Sequence, residues 1–155
     1  MFNKKLAIVG ASGAVGRVFI ELLDEIYPGT KDLFLVASKR SAGRSMFCGK
    51  QEFIIQDIEE FDFSQVEIAF FSAGAETAEK YAPIAVSKGC TVIDNSSQFR
   101  TDSDKPLIVP EVNSKDLENF KLPGIIANPN CSTAQLVVAL KPIHDLFKSE
   151  RVDVA

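Results

Sequence analysis

Cys131 is the residue of this sequence that is best placed to do covalent chemistry. It lies in the segment ANPNCST, between a short apolar run and a longer run with the apolar spacing of a helix. At the start of a helix, the helix dipole and the unpaired backbone N–H groups stabilise a thiolate relative to a thiol. Asn128, Pro129 and Asn130 also surround Cys131 with polar groups and turn formers that an inert core thiol does not need. The pattern predicts that Cys131 is a nucleophile.

The other two cysteines, Cys48 and Cys90, lie in a predicted loop and beside a predicted strand. We expect both to be small buried side chains. Three cysteines without paired CxxC spacing argue against a disulfide framework and against a zinc site. No metal site is predicted.

A glycine-rich turn near the start of the chain is the second candidate site. Gly10, Gly13 and Gly16 lie in GASGAVG, between a predicted strand and a predicted helix. The turn needs one residue without a Cβ, the approach of a pyrophosphate needs a second, and packing of the helix on the strand favours the third. The spacing is GxxGxxG rather than GxGxxG, so a purely structural turn is the alternative. The strand and helix around it favour a dinucleotide site.

The end of the second predicted strand indicates which dinucleotide is bound. Folds that bind NAD usually carry a carboxylate there for the ribose 2′-hydroxyl. This sequence instead has Ser38, Lys39, Arg40 and Ser41. Hydroxyl donors and an arginine fork suit a 2′-phosphate, which favours NADP over the alternative of a solvated basic loop.

Composition limits the classes of function. The chain has 155 residues, of which 46% are hydrophobic and 25% charged, and a net charge of -4, which is typical of one soluble globular domain. No block of like charges suggests a nucleic-acid or membrane partner. No apolar run approaches the roughly 18 residues of a membrane span, and the first residues do not resemble a secretory signal. We therefore expect a cytoplasmic protein, and phosphate-bearing small molecules remain possible ligands because they need only a local site.

Strands and helices alternate along the chain, which predicts an α/β fold with a Rossmann-like, doubly wound, mostly parallel sheet. Residues 39–50 are predicted to form a loop. The predicted strands are residues 5–9, 32–38, 51–56, 66–74, 91–97 and 124–128, and the predicted helices are residues 14–26, 75–89, 114–120 and a long one from about Ser132.

The fold should bring the candidate sites together, because ligands of parallel sheets bind outside the carboxyl ends of the strands. Gly74, Asn95, Ser96 and Cys131 all fall at such ends. We expect a cofactor domain over residues 1–130 and the beginning of a second domain over residues 131–155. Residues 151–155 alternate like the opening of a strand that stops, so the chain is expected to be part of a longer one.

Five segments resemble the bacterial aspartate-semialdehyde dehydrogenases, in the family's order and spacing over all 155 residues. They are GASGAVG, SAGAETAEKYAP, VIDNSSQFR, PLIVPEVN and NPNCST. The resemblance implies that Cys131 carries the acyl group in the NADP-dependent interconversion of L-aspartyl 4-phosphate and L-aspartate 4-semialdehyde. This step feeds lysine synthesis through diaminopimelate, and methionine and threonine synthesis. The resemblance also implies that the domain begun by residues 131–155 is an α+β domain for catalysis and dimerisation, and that the full-length protein is a homodimer.

The resemblance assigns roles to further residues. Ser12 to Val15 would hold the pyrophosphate, Arg40 and Ser41 the 2′-phosphate, and Arg100 the phosphate of the substrate or inorganic phosphate. Asn130 would help to position the reacting carbonyl. The predicted cofactor-binding residues are Gly10, Ser12, Gly13, Ala14, Val15, Gly16, Ser38, Arg40, Ser41, Ser72, Gly74 and Asn95. For Arg100 the alternative is a surface side chain beside Asp102 and Asp104.

The chemistry also needs a general base, and His144 is the only histidine. It lies 13 residues after Cys131 on the same predicted helix, which separates the two by about 20 Å. The resemblance places the catalytic histidine beyond residue 155, so we expect this chain to bind NADP weakly and to turn over little substrate. Two alternatives remain: an NADP-binding module without chemistry, and a related reductase of another acyl phosphate, such as acetylglutamyl-phosphate reductase.

Overall fold

The computed structural model describes residues 4–154, so predictions that touch residues 1–3 and 155 lie partly outside the described residues. Strands and helices alternate as the sequence predicts. The elements in chain order are β1 (Leu6–Val9), α1 (Ala14–Ile26), β2 (Leu33–Ala37), β3 (Ser45–Cys48), β4 (Gln51–Asp57), β5 (Ile68–Phe71), α2 (Ala75–Ser87), β6 (Thr91–Asp94), α3 (Pro110–Asn113), β7 (Ile125–Ala127) and α4 (Cys131–Phe147).

The described strands form one seven-stranded sheet in the order β3-β4-β2-β1-β5-β6-β7. All neighbouring pairs from β4 to β7 are parallel, and only β3 runs antiparallel, against β4. From β1 the chain builds the sheet first towards β2 and β4 and then, on the other side, towards β5, β6 and β7. This doubly wound arrangement confirms the predicted fold class.

The prediction of a loop over residues 39–50 is wrong for its second half. Ser45–Cys48 forms β3, which pairs with β4 through a tight turn at Gly49, whose φ is +57°. Met46 and Cys48 point inwards from β3 to the core. The helix predicted over residues 114–120 is also shorter than expected, because Ser114–Leu117 forms only a 3-10 turn directly after α3.

The two faces of the sheet carry separate apolar cores. On one face, α2 buries three alanines, Ala78, Ala82 and Ala85, which allow it to approach the sheet closely. On the other face, α1 buries Ile20 and Leu23 against β1 and β2. Burying each such aliphatic side chain contributes roughly 1.5–3 kcal/mol. The packed middle of the sheet thereby fixes where the carboxyl ends of the strands lie.

Both cysteines that were expected to be buried lie in these cores. Cys48 is in the core beneath α1, and Cys90 is in the core beneath α2. Burial raises the pKa of Cys90 to about 12. Burial, and then the nearby carboxylate of Asp24, also raise the pKa of Cys48.

Candidate active site

The sheet register places the predicted site residues along one edge. Val9, Phe71, Asp94 and Ala127 are aligned across β1, β5, β6 and β7. Each strand ends at or just after this row, so the glycine turn, Ser72, Asn95 and the segment before Cys131 all leave the sheet on the same side. With neighbouring strands about 4.8 Å apart, the end of β1 lies roughly 14 Å from the end of β7.

A cavity of about 300 Å³ opens at the carboxyl ends of β1, β2 and β5. Between β1 and β5 the direction of the crossovers reverses, which is where open α/β sheets bind their ligands. Ile58 and Thr77 are lining residues that the sequence analysis missed, although Thr77 could have been found as the polar residue in the first turn after Gly74. The lining residues are Val9, Gly10, Ser12, Gly13, Ala37, Ser38, Ile58, Ser72, Ala73 and Thr77.

Two of the three glycines are required by the fold. Gly10 has a φ of +87°, and a Cβ added to it would lie 2.9 Å from the backbone carbonyl of Ser72. A Cβ on Gly16 would lie 2.8 Å from Cα of Ala11. Gly10 and Gly16 therefore have structural roles in the turn, while the approach of a pyrophosphate to the turn stays a prediction.

Gly13 leaves the N-terminus of α1 open towards the cavity. It is the N-cap residue, and no side chain caps this helix. The first helical N–H groups, those of Ala14 and Val15, have no partner within a helix. A Cβ on Gly13 would lie only 3.2 Å from the carbonyl oxygen of Gly10 and would partly fill this opening. The cradle has the shape and the donors to hold a phosphate anion.

The basic loop after β2 is attached to the glycine turn. The Ser12 hydroxyl donates to the Ser41 hydroxyl over 3.1 Å, and the Ser41 N–H donates to the Ser38 carbonyl over 2.8 Å. Ser41 is 6% exposed, whereas Ser38, Lys39 and Arg40 are exposed. The end of β2 thus carries hydroxyls and positive charge without a carboxylate, which fits a 2′-phosphate group.

Beyond β6, a buried carboxylate shapes the chain. Asp94 is fully buried and accepts hydrogen bonds from the backbone N–H of Ser96 over 3.0 Å and from its hydroxyl over 2.7 Å. Burial raises the pKa of Asp94, while the two bonds from Ser96 and the charge of Arg100 act against this rise. The turn so formed presents Asn95 at the edge of the sheet. Gly74, at the N-cap of α2, is exposed at the same edge.

Arg100 reaches back across the ends of β6 and β7. Its Nε donates to the carbonyl of Asn128 over 2.9 Å, and its Nη2 donates to the carbonyl of Asn95 over 3.0 Å. Asp102 forms its ion pair with Lys105 instead. The alternative of a surface arginine held beside Asp102 and Asp104 is therefore wrong, because backbone carbonyls fix this guanidinium at the site edge.

Cys131 is the first residue of α4 and is exposed. Asn130 is the N-cap, and its Oδ1 accepts from the N–H of Thr133 over 2.8 Å and from the hydroxyl of Ser132 over 3.1 Å. The helix begins one residue earlier than predicted. The cap engages the Asn130 oxygen as an acceptor and leaves the amide nitrogen of this side chain as a donor to a substrate carbonyl.

His144 lies in the last turn of α4, on the same helix as Cys131. The rise of 1.5 Å per residue separates the two by about 20 Å, so His144 is not a base for this thiol. Within residues 4–154, no cluster of three or more His, Cys, Asp or Glu side chains could hold a metal ion. No helix of the described part is long and apolar enough to span a bilayer.

Comparison with known proteins identifies the family. Residues 5–120 match the family described as semialdehyde dehydrogenase, NAD binding domain. An aspartate-semialdehyde dehydrogenase of Shewanella violacea is 54% identical over 97% of this chain and 44% of its own length. The chain thus spans less than half the length of this curated relative.

Solved structures agree with the sequence matches. The chain is 53% identical to the Vibrio cholerae aspartate semialdehyde dehydrogenase II complexed with ASA, with a TM-score of 0.86 over 90% of this chain and 46% of that one. The Candida albicans enzyme with NADP is 31% identical, with a TM-score of 0.78 over 94% of this chain and 48% of that one. The chain belongs to the semialdehyde dehydrogenase family and is similar to the N-terminal portion of its aspartate-semialdehyde dehydrogenases.

Proposed function

We propose that this chain is the cofactor-binding and nucleophile-bearing part of an NADP-dependent aspartate-semialdehyde dehydrogenase. The observation that carries the proposal is the exposed thiol of Cys131 at the N-terminus of α4, on the same edge of the sheet as the open glycine turn. The reaction is the reversible conversion of L-aspartyl 4-phosphate to L-aspartate 4-semialdehyde, with release of phosphate.

The residues of the cavity fit NADP. The uncapped N-terminus of α1 would hold the pyrophosphate, and Arg40 with the Ser12–Ser41 pair would hold the 2′-phosphate. Ser38, Ser72, Gly74 and Asn95 lie at or beside the strand ends that the cofactor would follow. When bound, NADPH would supply the hydride that reduces the acyl group carried by Cys131.

The thiolate of Cys131 would attack C4 of aspartyl phosphate. A carbon–sulfur bond forms, the bond from C4 to the phosphate oxygen breaks, and phosphate leaves with its electron pair, giving a thioester. The N–H of Cys131 and the amide nitrogen of Asn130 can donate to the carbonyl oxygen as it gains charge. After reduction, cleavage of the carbon–sulfur bond would release the aldehyde and restore the thiolate.

Arg100 would bind the phosphate of the substrate. Two of its five N–H groups are engaged by backbone carbonyls, which leaves three for phosphate oxygens. A planar guanidinium held by two bonds presents these donors in a fixed direction, as bidentate recognition of phosphate requires.

The proposal extends to the whole protein. Residues 1–130 would be the cofactor domain, and residues 131–155 would open a catalytic and dimerisation domain that supplies the general base and forms a homodimer. The enzyme would act in the cytoplasm, in lysine synthesis through diaminopimelate and in methionine and threonine synthesis. The 155-residue chain by itself should bind NADP and turn over little substrate.

The test is an assay of the full-length protein for NADPH formation from aspartate semialdehyde and phosphate. Cys131→Ser should reduce the rate at least about 10⁴-fold, because the serine hydroxyl is not activated as a thiolate would be. Cys48→Ser is the matched control and should keep most of the activity, since its sulfur lies in the core beneath α1.

Two outcomes would contradict the proposal. Equal rates with N-acetylglutamate semialdehyde would favour the related reductase. An absence of turnover in the wild-type full-length protein, with NADP still bound, would favour a binding module.

A further inference from the structure

We propose that Asn128 is a positioning residue, which fixes the guanidinium of Arg100 and couples it to the segment that carries Cys131. This inference rests on the proposed function, because it assumes that Arg100 binds phosphate. Asn128 itself need not touch the substrate.

Asn128 is held by its backbone and by its side chain. Its N–H donates to the Asp94 carbonyl over 2.8 Å, which extends the ladder between β6 and β7 by one residue. Its carbonyl accepts from Nε of Arg100 over 2.9 Å. Its side-chain Nδ2 donates to Oδ1 of Asn95 over 2.7 Å. Asn128 is therefore immobilised at the point where β7 leaves the sheet.

These bonds close a ring of three residues. Arg100 donates to the carbonyls of both Asn95 and Asn128, and the two asparagine side chains are bonded to each other. The bond between the two side-chain amides thus keeps the backbone carbonyls of Asn95 and Asn128 at a fixed separation. These two carbonyls orient the guanidinium of Arg100. Without this amide–amide bond, each carbonyl can move with the end of its own strand. The N–H groups of Arg100 that remain free for phosphate are then no longer held in one direction.

A rigid link joins the ring to the thiol. Cys131 follows Asn128 by three residues, and the intervening Pro129 is buried and has a fixed φ. The carbonyl that accepts from Arg100 is that of Asn128, directly before the proline. A shift of this carbonyl should therefore move the phosphate donors and the N-terminus of α4 relative to each other.

The experiment uses the 155-residue chain and inorganic phosphate as the probe. Phosphate bound by Arg100 should cover Cys131 and slow its alkylation by iodoacetamide, which gives an apparent dissociation constant. Asn128→Ala should raise this constant about 5- to 10-fold, while NADP affinity stays within about 2-fold because the glycine turn lies at the other end of the row. In the full-length protein, the same variant should raise KM for phosphate more than it lowers kcat.

A double-mutant cycle separates positioning from loss of stability. Asn95→Ala should raise the apparent dissociation constant of phosphate as much as Asn128→Ala does, and the double variant should raise it no further, because both changes remove the same bond. Asn113→Ala is the matched control. Its side chain makes three hydrogen bonds around α3, and its loss should leave phosphate protection unchanged.

The outcomes distinguish the inference from the proposed function. If phosphate protects the wild-type chain and the Asn128→Ala chain at the same concentration, the positioning role is wrong and the proposed function stands. An equal loss in Asn113→Ala, or additive effects in the cycle, would also overturn the positioning role. If phosphate does not protect the wild-type thiol at all, the phosphate role of Arg100 fails and the inference fails with it.

Discussion

The glycine turn and the thiol lie on the same edge of the sheet but are held in different ways. The turn follows β1, whose four residues are all buried between β2 and β5, and Gly10 fits against the Ser72 backbone just after β5. Cys131 begins α4, a helix with no buried residue whose main packing among the described elements is on the short α3. The core fixes the cofactor side, whereas local bonds fix the thiol side.

Both sides expose apolar side chains, but on α1 their exposure runs from 47% to 63%, and it is higher near the end of α4. Leu146 and Phe147 near the end of α4 are 77% and 78% exposed, which is unusual for large apolar side chains in a packed helix. The loop before α4 is instead held by the Asn130 cap and by the Arg100 ring. The positions of atoms on the thiol side should therefore respond to the loss of single hydrogen bonds, and those around the glycine turn to changes in packing.

The largest expected contrast is in thiol reactivity. At pH 8 only about one Cys90 side chain in ten thousand would be ionised, given its pKa of about 12, and the core also blocks access. We expect iodoacetamide to modify Cys131 at least about 1000-fold faster than Cys48 or Cys90 in the folded chain, measured by mass spectrometry of timed samples. In concentrated urea the three rates should converge. Similar alkylation rates for the three cysteines in the folded chain would contradict the difference between the exposed thiol and the packed core.

The next effect tests the packed side. Gly10→Ala should lower the free energy of unfolding by about 3 kcal/mol, since it adds the cost of a positive φ to that of displacing the Ser72 backbone. Gly43→Ala is the matched control, because Gly43 has a φ of +81° and no atom within 4 Å of an added Cβ. It should cost about 1 kcal/mol. Equal costs in urea unfolding would mean that the close approach of the turn to β5 is not important.

A smaller effect concerns alkaline pH. Folding raises the pKa of Cys90, so the folded chain keeps a proton that the unfolded chain loses above about pH 9, and stability falls as pH rises from there towards 12. By pH 10.5 the loss should reach about 2 kcal/mol in urea unfolding. Cys90→Ala should remove this part of the dependence of stability on pH, and Cys131→Ala should retain it. If Cys131→Ala removes this pH dependence instead, its attribution to the buried thiol of Cys90 is wrong.

Local patterns in the sequence were sufficient for most of the fold. Apolar runs and glycines predicted β1, α1, β5 and α2, because each of these elements buries a continuous face. The four residues of β3 were not predicted, since the strand begins with the polar Ser45 directly after Arg44 and exists only through its pairing with β4. Its alternation is too short to be distinguished from a loop.

The edge of the sheet at which the site residues lie was predictable, but the hydrogen bonds between them were not. Parallel strands necessarily end on one edge, so the sequence placed Asn95 and Cys131 together. The bond between Asn95 and Asn128 joins residues 33 apart, and the bond from Arg100 to Asn128 joins residues 28 apart. No local pattern specifies such partners, because they depend on how two strand ends are aligned in space.

The smallest expected effect compares the cap of α4 with Asp62, the cap of the 3-10 turn Phe63–Gln65, and each cap accepts from one N–H and one hydroxyl. Asn130 accepts from the N–H of Thr133 and the hydroxyl of Ser132, and Asp62 accepts from the N–H and the hydroxyl of Ser64. Because α4 buries no residue, Asn130→Ala should act locally and weaken the first turn by about 1 kcal/mol. Amide exchange in α4 should then be about 5-fold faster, while the urea midpoint hardly changes.

Asp62→Ala should lower the stability of the whole domain rather than act locally. Asp62 is directly followed by Phe63, which is 2% exposed in the core beneath α2, so the loss of this cap should lower the urea midpoint of the whole domain. Hydrogen exchange followed by mass spectrometry distinguishes the two responses. If Asn130→Ala lowers the global midpoint as much as Asp62→Ala does, then α4 is coupled to the core, and the thiol is held by packing as firmly as the glycine turn is.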